Sequence, residues 1–314
     1  MTLSVAVLMG GQSAEAEVSR NSAQQVSTAL RSKGHAVTLV EVDDQCAATL
    51  LDLQPQVVFP ALHGPPGEDG TIQGFLEVLG LPYVGSGVHG SALAMDKAVT
   101  KALVSNQGLP VLPDRVVDHL DSDIVSELLS QFGERVVIKP LNQGSAIGVV
   151  RLPNGGDLAA ALTEALEFGP CLVEPYTHAN EITAGVLQKG DELIPHPVIE
   201  ITTASDSWYD FENRYKPGAS EHIIPARLSA STLAKLQDIA VSAHRILGLR
   251  DLSRTDFLVT DEEEIYFLEV NSLPGMTPTS LYPDGARHLG YDFPELMDFL
   301  VQQAWSRAQA QMPL

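Results

Sequence analysis

The chain has 314 residues, 44% of them hydrophobic and 19% charged, which fits two or three globular units and excludes a disordered chain. Its 19 basic and 40 acidic residues give a formal net charge of −21. Nucleic-acid binding needs a basic face, so this composition argues against a nucleic-acid partner. Any site for a phosphate must supply its own local cations, and a metal ion would help.

The two cysteines, Cys46 and Cys171, belong to no Cys-x-x-Cys pair, and we expect free buried thiols in a reducing compartment. Residues 1–11 are apolar but have neither the basic start nor the cleavage site of a signal peptide. No apolar run approaches the roughly 20 residues of a membrane span. We therefore expect a cytoplasmic protein without a membrane partner.

The first elements in chain order predict a parallel α/β unit. Residues 3–9 form a continuous apolar run, as expected for a strand buried on both faces, and two glycines end it. Ser13 is placed to cap a helix that extends to about residue 32. Strands at 36–42 and 57–62 follow, and a loop rich in glycine and proline comes after the second of them.

A second unit begins near Ser91 with a helix that runs through Lys97 and ends near Gly108. Strands at 135–139 and 149–152 enclose the loop 140–148, which predicts a hairpin. The third stretch contains strands from residue 181, a long loop at 206–220, a helix at 231–247, a hairpin at 254–271 and a last helix at 293–311. Long loops in compact domains are often functional.

The hairpin at 254–271 carries charged side chains inside two apolar strands. If the strands pair symmetrically about the acidic turn, Asp256 lies opposite Glu269 and Arg254 opposite Asn271, all on one face. Opposed carboxylates repel each other unless a cation lies between them, and a hard cation with oxygen ligands fits this set. Ordinary solvent-facing acids are the alternative, which the apolar neighbours argue against.

Two glycine-containing segments are candidates for ligand binding. The loop 144–148 follows a strand that carries Lys139, and Ser145 adds a hydroxyl, so the loop can hold a phosphate; an ordinary hairpin turn is the alternative. Gly10 and Gly11 end the first strand, where α/β sheets bind ligands. Glu15 there disfavours a phosphate and favours an ammonium group, although it can also simply complement the helix dipole.

Eight segments together resemble one family. They are GGQSAEAEVS at 10–19, HG with GEDG at 63–70, GSG at 85–87, MDK at 95–97, KP with GS at 139–145, YDFE at 209–212, RTD at 254–256 and EVNSLPGMT at 269–277. In this order and spacing, the chain resembles the D-alanine–D-alanine ligases of the ATP-grasp superfamily. The resemblance covers nearly the whole chain.

The resemblance implies an α/β ATP-grasp fold of three units: an N-terminal domain with a Rossmann-like parallel sheet (1–90), a central subdomain (91–178) and a C-terminal subdomain with the metal and substrate sites (179–314). ATP would lie between the second and third units. Its implied contacts are Lys97, Lys139, Ser145, Glu174, Pro175, Tyr176, Thr177, Glu181 and Arg214. Asp256, Glu269 and Asn271 would bind two Mg²⁺ ions, for which Mn²⁺ can substitute.

The resemblance also implies a reaction in which one D-alanine is phosphorylated by ATP and then attacked by the amine of a second. Arg254 would stabilise the oxyanion and Glu15 would hold the first ammonium group. Ser145 and Tyr215 would hydrogen-bond to Glu15 and orient the second substrate. The implied substrate contacts are His63, Gly275, Ser280 and Leu281, the last two receiving the second carboxylate. The implied partners are small molecules, D-alanine and ATP, and a second copy of the chain in a homodimer.

Some positions depart from the family pattern. Ala146 stands where a second serine is usual, Pro175 replaces a lysine, and Arg214 replaces the lysine before Tyr215. The first two changes bear on nucleotide affinity. One alternative is a relative with a different second substrate, either D-lactate or another amino acid; Tyr215 argues against D-lactate. Another alternative is a nucleotide-binding protein without ligase activity. A Rossmann dehydrogenase fits less well, because Gly10 and Gly11 lack the third glycine of that fingerprint.

Overall fold

A computed structural model describes residues 1–203 and 218–311 of the chain. The strands are β1 (Ser4–Met9), β2 (Ala36–Glu41), β3 (Val57–Pro60), β4 (Arg115–Val117), β5 (Val136–Pro140), β6 (Val150–Arg151), β7 (Cys171–Pro175), β8 (Asn180–Lys189), β9 (Glu192–Pro195), β10 (Ile199–Thr203), β11 (Ser220–Ile223), β12 (Leu252–Val259) and β13 (Ile265–Asn271). The helices are α1 (Ala16–Ser32), α2 (Cys46–Leu53), α3 (Thr71–Val78), α4 (Val88–Met95), α5 (Lys97–Asn106), α6 (Ile124–Phe132), α7 (Leu158–Leu166), α8 (Ala230–Ile246), α9 (Leu281–Arg287) and α10 (Phe293–Gln311).

The strands form three sheets. The first is parallel, with the order β2-β1-β3. The second has the order β4-β7-β5-β6, and the third has the order β11-β10-β8-β12-β13 with β9 on β8; both are antiparallel. A parallel sheet followed by two antiparallel sheets agrees with the predicted mixed α/β fold. Each sheet falls within one of the three predicted domains, whose boundaries stay a prediction.

Small buried residues bring α1 close to the first sheet. Ser19, Ser22 and Ala23 face the core of this unit, and none of them holds the helix away from the strands. The predicted cap at Ser13 is wrong: α1 begins at Ala16, with Glu15 at the N-cap and no side-chain cap bond. The Ser13 hydroxyl instead donates to the His63 carbonyl at 2.8 Å, which joins the loop after β1 to the loop after β3.

The predicted helix through Lys97 is two helices. Asp96 has an extended backbone, with ψ at 105°, and its carboxylate accepts a hydrogen bond from the Val99 backbone N–H at 3.0 Å. This N-cap ends α4 and starts α5. Lys97 is therefore the first residue of a helix, which aims its side chain away from the helix body and towards the loop after β5.

The register of the β12–β13 hairpin is confirmed where it carries the charged groups. Asp256 pairs with Glu269 and Arg254 with Asn271. Towards the turn the predicted symmetry is wrong, because the register shifts by one residue beyond Asp256 and Phe257 pairs with Phe267. Symmetric pairing would place a four-residue turn at 261–264. The turn residue Glu263 has φ of 62°, and Thr260 pairs with Glu264, which leaves a three-residue loop instead.

The last helix completes the core of the first unit. Side chains of α10, among them Leu296 and Leu300, pack with Val5 and Val7 of β1 in one buried cluster. Asp251 is fully buried and joins this region to the third sheet: its Oδ2 accepts the Gly85 backbone N–H at 2.8 Å, and its carboxylate pairs with Arg307 of α10. Within the described residues, no helix is long and apolar enough to cross a membrane.

Candidate active site

A cavity of about 860 Å³ opens between the first sheet, the loop after β5 and the third sheet. It is lined by eight of the predicted site residues: Glu15, His63, Ser145, Arg254, Asn271, Gly275, Ser280 and Leu281. These residues come from five separate segments of the chain. The fold therefore brings the predicted catalytic and substrate-binding groups to one place.

The charged face of the β12–β13 hairpin forms one wall of this cavity. Arg254 holds the Asp256 carboxylate in a fork, with 2.8 Å from Nε to Oδ1 and 2.7 Å from Nη2 to Oδ2. Thr183 of β8 donates its hydroxyl to Oδ1 at 2.6 Å, and the Asn271 amide donates to Oδ2 at 3.2 Å. These partners fix the orientation of the carboxylate.

The hairpin residues fit a hard divalent cation. Asp256 and Glu269 are directly opposed, part-buried carboxylates, and Asn271 supplies an amide oxygen on the same face. Among the described residues, no group of three or more His, Cys, Asp or Glu side chains is arranged to hold a metal. A site with two carboxylates suits Mg²⁺, which typically takes one or two carboxylates and completes its coordination with water and substrate phosphates.

The glycine loop crosses to Glu15 in the first unit. Ser145 and Ala146 both have positive φ, 49° and 59°, so the loop turns back in the left-handed region. The Ser145 hydroxyl donates a hydrogen bond to Glu15 Oε1. Glu15 is 4% exposed. A nearly buried carboxylate beside a hydroxyl is suited to bind the ammonium group of a small zwitterion.

Two further titratable groups, His63 and Glu68, adjoin Glu15. Burial and the nearby Arg254 charge lower the pKa of His63 to about 4, so its ring is neutral and shares a 3.1 Å hydrogen bond with the Ser22 hydroxyl. Burial and the Glu15 charge raise the pKa of Glu68 to about 8, although its carboxylate accepts the Gly64 backbone N–H at 2.7 Å. A neutral Glu68 reduces the negative charge beside Glu15.

The other end of the cavity is formed by the segment before α9. The Ser280 hydroxyl accepts the Thr277 backbone N–H at 3.1 Å, and a Cβ on Gly275 would lie 3.2 Å from Ser280 Oγ. Leu281 is buried against Ile199 and Ile201 of the third sheet. Gly275 thus leaves the Ser280 side chain in place at the cavity wall.

Apart from Ser145, the predicted nucleotide contacts that the structure describes lie beside this cavity rather than in its lining. The Lys97 ammonium donates to the Gln143 carbonyl at 2.6 Å and lies 3.4 Å from Glu269 Oε2, which connects the glycine loop to the hairpin. Lys139 Nζ donates to Glu174 Oε2 at 2.5 Å. Glu181 lies on β8, opposite Leu258 of β12.

The strand β7 carries Glu174 and Pro175, with Tyr176 and Thr177 directly after it. The Tyr176 backbone N–H donates to the Arg135 carbonyl at 2.8 Å, so the neighbouring Pro175–Val136 pair is a non-hydrogen-bonded one. On the opposite side the described pairing of β7 with β4 ends at the Arg115–Val173 pair. Pro175 therefore removes no ladder hydrogen bond, and what it lacks compared with lysine is the side-chain charge and a backbone donor on the unpaired edge of β7.

Arg214 and Tyr215 lie outside the described residues, so their predicted contacts with ATP and with Glu15 stay predictions. The same holds for the YDFE segment at 209–212.

The sequence analysis missed three residues of the site. Thr183 holds Asp256, Ser22 holds His63, and Lys101 pairs with Glu174. Each is polar and nearly fully buried, and each acts on a predicted site residue that is distant in the sequence. A single sequence does not reveal such pairs; Lys101 alone has a partial signal, since it lies one helical turn after Lys97.

Models of one enzyme family match most of the chain. The model for the D-ala D-ala ligase C-terminus matches residues 103–302, and the model for the D-ala D-ala ligase N-terminus matches residues 47–86. The D-alanine–D-alanine ligase of Desulforudis audaxviator is 43% identical over 309 residues, which are 98% of this chain and 100% of that relative.

Solved structures share the fold over the whole chain. A Bacillus anthracis D-alanine–D-alanine ligase complexed with ATP has a TM-score of 0.81 at 25% identity, covering 99% of this chain and 100% of the other. The VanG D-Ala:D-Ser ligase of Enterococcus faecalis has a TM-score of 0.82 at 29% identity, covering 97% and 100%. The predicted ATP-grasp fold is confirmed, and the chain belongs to the D-alanine–D-alanine ligase family.

Proposed function

We propose that this protein joins two D-alanine molecules into D-alanyl-D-alanine, with conversion of ATP to ADP and phosphate, for peptidoglycan precursor synthesis. The observation that carries the proposal is the single cavity in which Glu15, Arg254 and Ser280 face the same space. Ligation of two amino acids requires an anchor for an ammonium, a guanidinium near the reacting carbon and a hydrogen-bond donor for a carboxylate, and these three side chains can supply them. Family membership supports the same reaction.

The first half of the reaction activates one carboxylate. Glu15 and the Ser145 hydroxyl hold the ammonium of the first D-alanine, which leaves its carboxylate pointing towards the hairpin wall. One carboxylate oxygen attacks the γ-phosphorus of ATP, the bond to the β-phosphate oxygen breaks, and ADP leaves. Positioning and charge neutralisation dominate such a transfer, and Lys97 and Lys139 supply the positive charge.

The second half forms the peptide bond. The ammonium of the second D-alanine loses a proton to solvent, and the resulting amine attacks the acylphosphate carbon while its carboxylate is held at Ser280 and Leu281. Arg254 stabilises the negative oxygen of the tetrahedral intermediate, since its guanidinium is already fixed by Asp256. Phosphate then leaves and the dipeptide is complete.

Asp256, Glu269 and Asn271 are the residues we propose to hold two Mg²⁺ ions, or Mn²⁺ in their place. Bound divalent cations neutralise phosphate charge during phosphoryl transfer. The net charge of −21 makes such local neutralisation more important in this chain than in a neutral one. Thr183 and Arg254 keep Asp256 in one orientation for this purpose.

We also propose a cytoplasmic homodimer. The two cysteines are buried and free, as expected in a reducing compartment, and the reaction consumes ATP. The homodimer follows from the family resemblance alone. Light scattering coupled to size-exclusion chromatography tests it, and a monomer mass of 33.7 kDa at micromolar concentration would contradict it.

Phosphate release from ATP tests the reaction. We expect release with D-alanine, none above background with L-alanine, and D-alanyl-D-alanine as the product by mass spectrometry. D-serine and D-lactate, each mixed with D-alanine, test the alternative acceptors, and the likeness to the D-Ala:D-Ser ligase makes serine the sharper competitor. Phosphate release that does not depend on any amino acid would overturn the ligase proposal.

A further inference from the structure

A chain of alternating charges leads from the interior of the central unit to the nucleotide contacts. Lys101 of α5 has a 2% exposed side chain, and lysine is almost never buried unless it is paired. Its ammonium donates to the Leu112 carbonyl at 2.9 Å, to the Asp114 carboxylate and to Glu174 Oε1. All three ammonium protons therefore have acceptors.

The Glu174 carboxylate lies between Lys101 and Lys139 and contacts both ammonium groups. One of its oxygens faces Lys101, and the other accepts a hydrogen bond from Lys139 at 2.5 Å. The Glu174 side chain is 2% exposed, whereas that of Lys139 is 17% exposed. Burial alone would raise the pKa of Glu174, but the Lys139 and Lys101 charges together hold it below its ordinary value. The carboxylate stays ionised between two ammonium groups.

We propose that Lys101 is a positioning residue for nucleotide binding: by neutralising half of the buried Glu174 carboxylate, it leaves the Lys139 ammonium available to a nucleotide phosphate. The proposal rests on the proposed function only in taking Lys139 as a phosphate contact. Lys101 itself is too deeply buried to touch a nucleotide.

The charges explain why Lys101 matters beyond fold stability. Without it, Lys139 is the one cation that the described contacts leave to Glu174, and Asp114 loses its own ion-pair partner. Lys139 already donates to Glu174 at 2.5 Å, and this pair becomes harder to break, because a buried carboxylate without a partner is costly. A phosphate must compete with that carboxylate for the same ammonium, so nucleotide affinity falls.

Calorimetric titration of the full-length chain with ADP and Mg²⁺ tests the proposal without any amino acid present. We expect Lys101→Met to weaken ADP binding roughly tenfold, in the range typical of residues that orient a ligand-binding group. Glu174→Gln removes the carboxylate through which Lys101 acts. The double variant should therefore bind ADP no more weakly than the weaker single variant, a non-additive result.

Arg307→Gln is the matched control, because it removes the cation of another buried pair, Arg307–Asp251, far along the chain from the nucleotide contacts. It should lower the melting temperature and leave ADP affinity unchanged. Equal weakening by Arg307→Gln, additive effects in the double variant, or unchanged ADP binding in Lys101→Met would each overturn the proposal.

Asp114→Asn keeps the proposal testable if Lys101→Met does not fold. The Asp114 side chain is 28% exposed, and without its charge Lys101 pairs more strongly with Glu174. ADP should then bind at least as tightly as to the unmodified chain, even if the melting temperature falls. Weaker ADP binding would contradict the proposal. A failure of the proposed ligase reaction would appear in phosphate release with D-alanine and not in ADP binding. The two experiments therefore distinguish a failure of the proposed function from a failure of the role given to Lys101.

Discussion

The guanidinium of Arg254 and the carboxylate of Asp256 lie two residues apart on β12 and form two parallel hydrogen bonds, of 2.8 and 2.7 Å. The fork fixes the plane of both groups at the cavity wall. Arg254 is 8% exposed, so little water screens the charge that it directs into the cavity. An arginine held in this way is prepared for a negative oxygen before any substrate binds.

Replacing this fork by a single point charge should affect the chemical step. We expect Arg254→Lys to lower kcat for ligation about 100- to 1000-fold, because lysine keeps the charge but cannot hold Asp256 and an oxyanion together. ADP affinity, measured by calorimetry, should change much less. A variant that loses ADP binding and keeps kcat would contradict the role given to Arg254.

Asp256→Asn should raise the Mg²⁺ concentration needed for half-maximal phosphate release, or abolish turnover. The amide keeps the side-chain shape but supplies a weaker, uncharged ligand. Asp261→Asn is the matched control, since Asp261 lies exposed in the turn of the same hairpin. Titration of the activity of each variant with Mg²⁺ measures its Mg²⁺ requirement. Equal requirements in the two variants would refute the assignment of Asp256 as a ligand.

Ser145→Ala removes the hydroxyl that donates to Glu15. We expect the KM for the first D-alanine to rise about tenfold, the usual effect of losing one hydrogen bond to a charged group. ADP affinity reports on the phosphate contact of the same residue, so the ratio of the two effects separates its roles. Initial rates over a range of D-alanine concentrations give the KM, and an unchanged value would show that Ser145 does not act through Glu15.

Glu68 should make the fold less stable as the pH rises. Its pKa is raised to about 8 in the folded protein, whereas the unfolded chain has an ordinary value near 4.5. The protonated form is favoured by folding, so its contribution is complete below about pH 4.5 and is lost progressively as the pH rises to about 8. Glu68→Gln keeps a side-chain oxygen to accept the Gly64 N–H and has no charge to lose.

We therefore expect Glu68→Gln to have the same melting temperature as the unmodified chain near pH 4.5. At pH 8 it should melt at a higher temperature than the unmodified chain. Thermal unfolding followed by circular dichroism across this range measures the difference. If the difference in melting temperature between the two proteins narrows as the pH rises, the Glu68 carboxyl is not held protonated in the folded protein.

Gly185→Ala tests the packing behind Arg254. Gly185 pairs with Arg254 across β8 and β12, and a Cβ there would lie 2.4 Å from Nδ1 of the buried His196 ring. The ring is also confined by Gly285 and lies 4.5 Å from the Tyr282 ring, so it has no room to move. We expect a loss of about 1–3 kcal/mol in the free energy of unfolding, measured by urea denaturation. Gly87→Ala is the control for adding a methyl group, because Gly87 has φ of −76° and a Cβ there would lie 3.7 Å from its nearest neighbours.

The sequence predicts the charged half of the hairpin because two rules coincide there. Side chains alternate along a strand, and opposed carboxylates need a cation, so the sequence predicts Asp256 and Glu269 on one face. The other half was wrong because a single glutamate, Glu263, takes a positive φ that its residue type does not suggest. In the shifted register Phe257 and Phe267, outside the turn, meet edge to face with ring centroids 6.3 Å apart.

The sequence does not predict the buried polar pairs, and the reason is a different one. Lys101 and Glu174 are separated by 73 positions, and nothing near either one shows that the other is its partner. The helix α9, which begins at Leu281, was also missed: it has only seven residues and contains a proline and a glycine, which weaken any periodic signal. Pairings across distant elements are decided by the assembled sheets.

The position of α10 has a consequence for how the chain is made. The first strand leaves the ribosome at the start of synthesis, and α1 follows directly, but part of the cover over Val5 and Val7 comes from Leu296 and Leu300, almost 300 residues later. Domains usually fold as their chain emerges. Here the earliest unit must wait for the final residues, and its exposed strands are an aggregation risk throughout translation. A stop codon before Phe293 would therefore cost the first unit of the enzyme as well as its last helix.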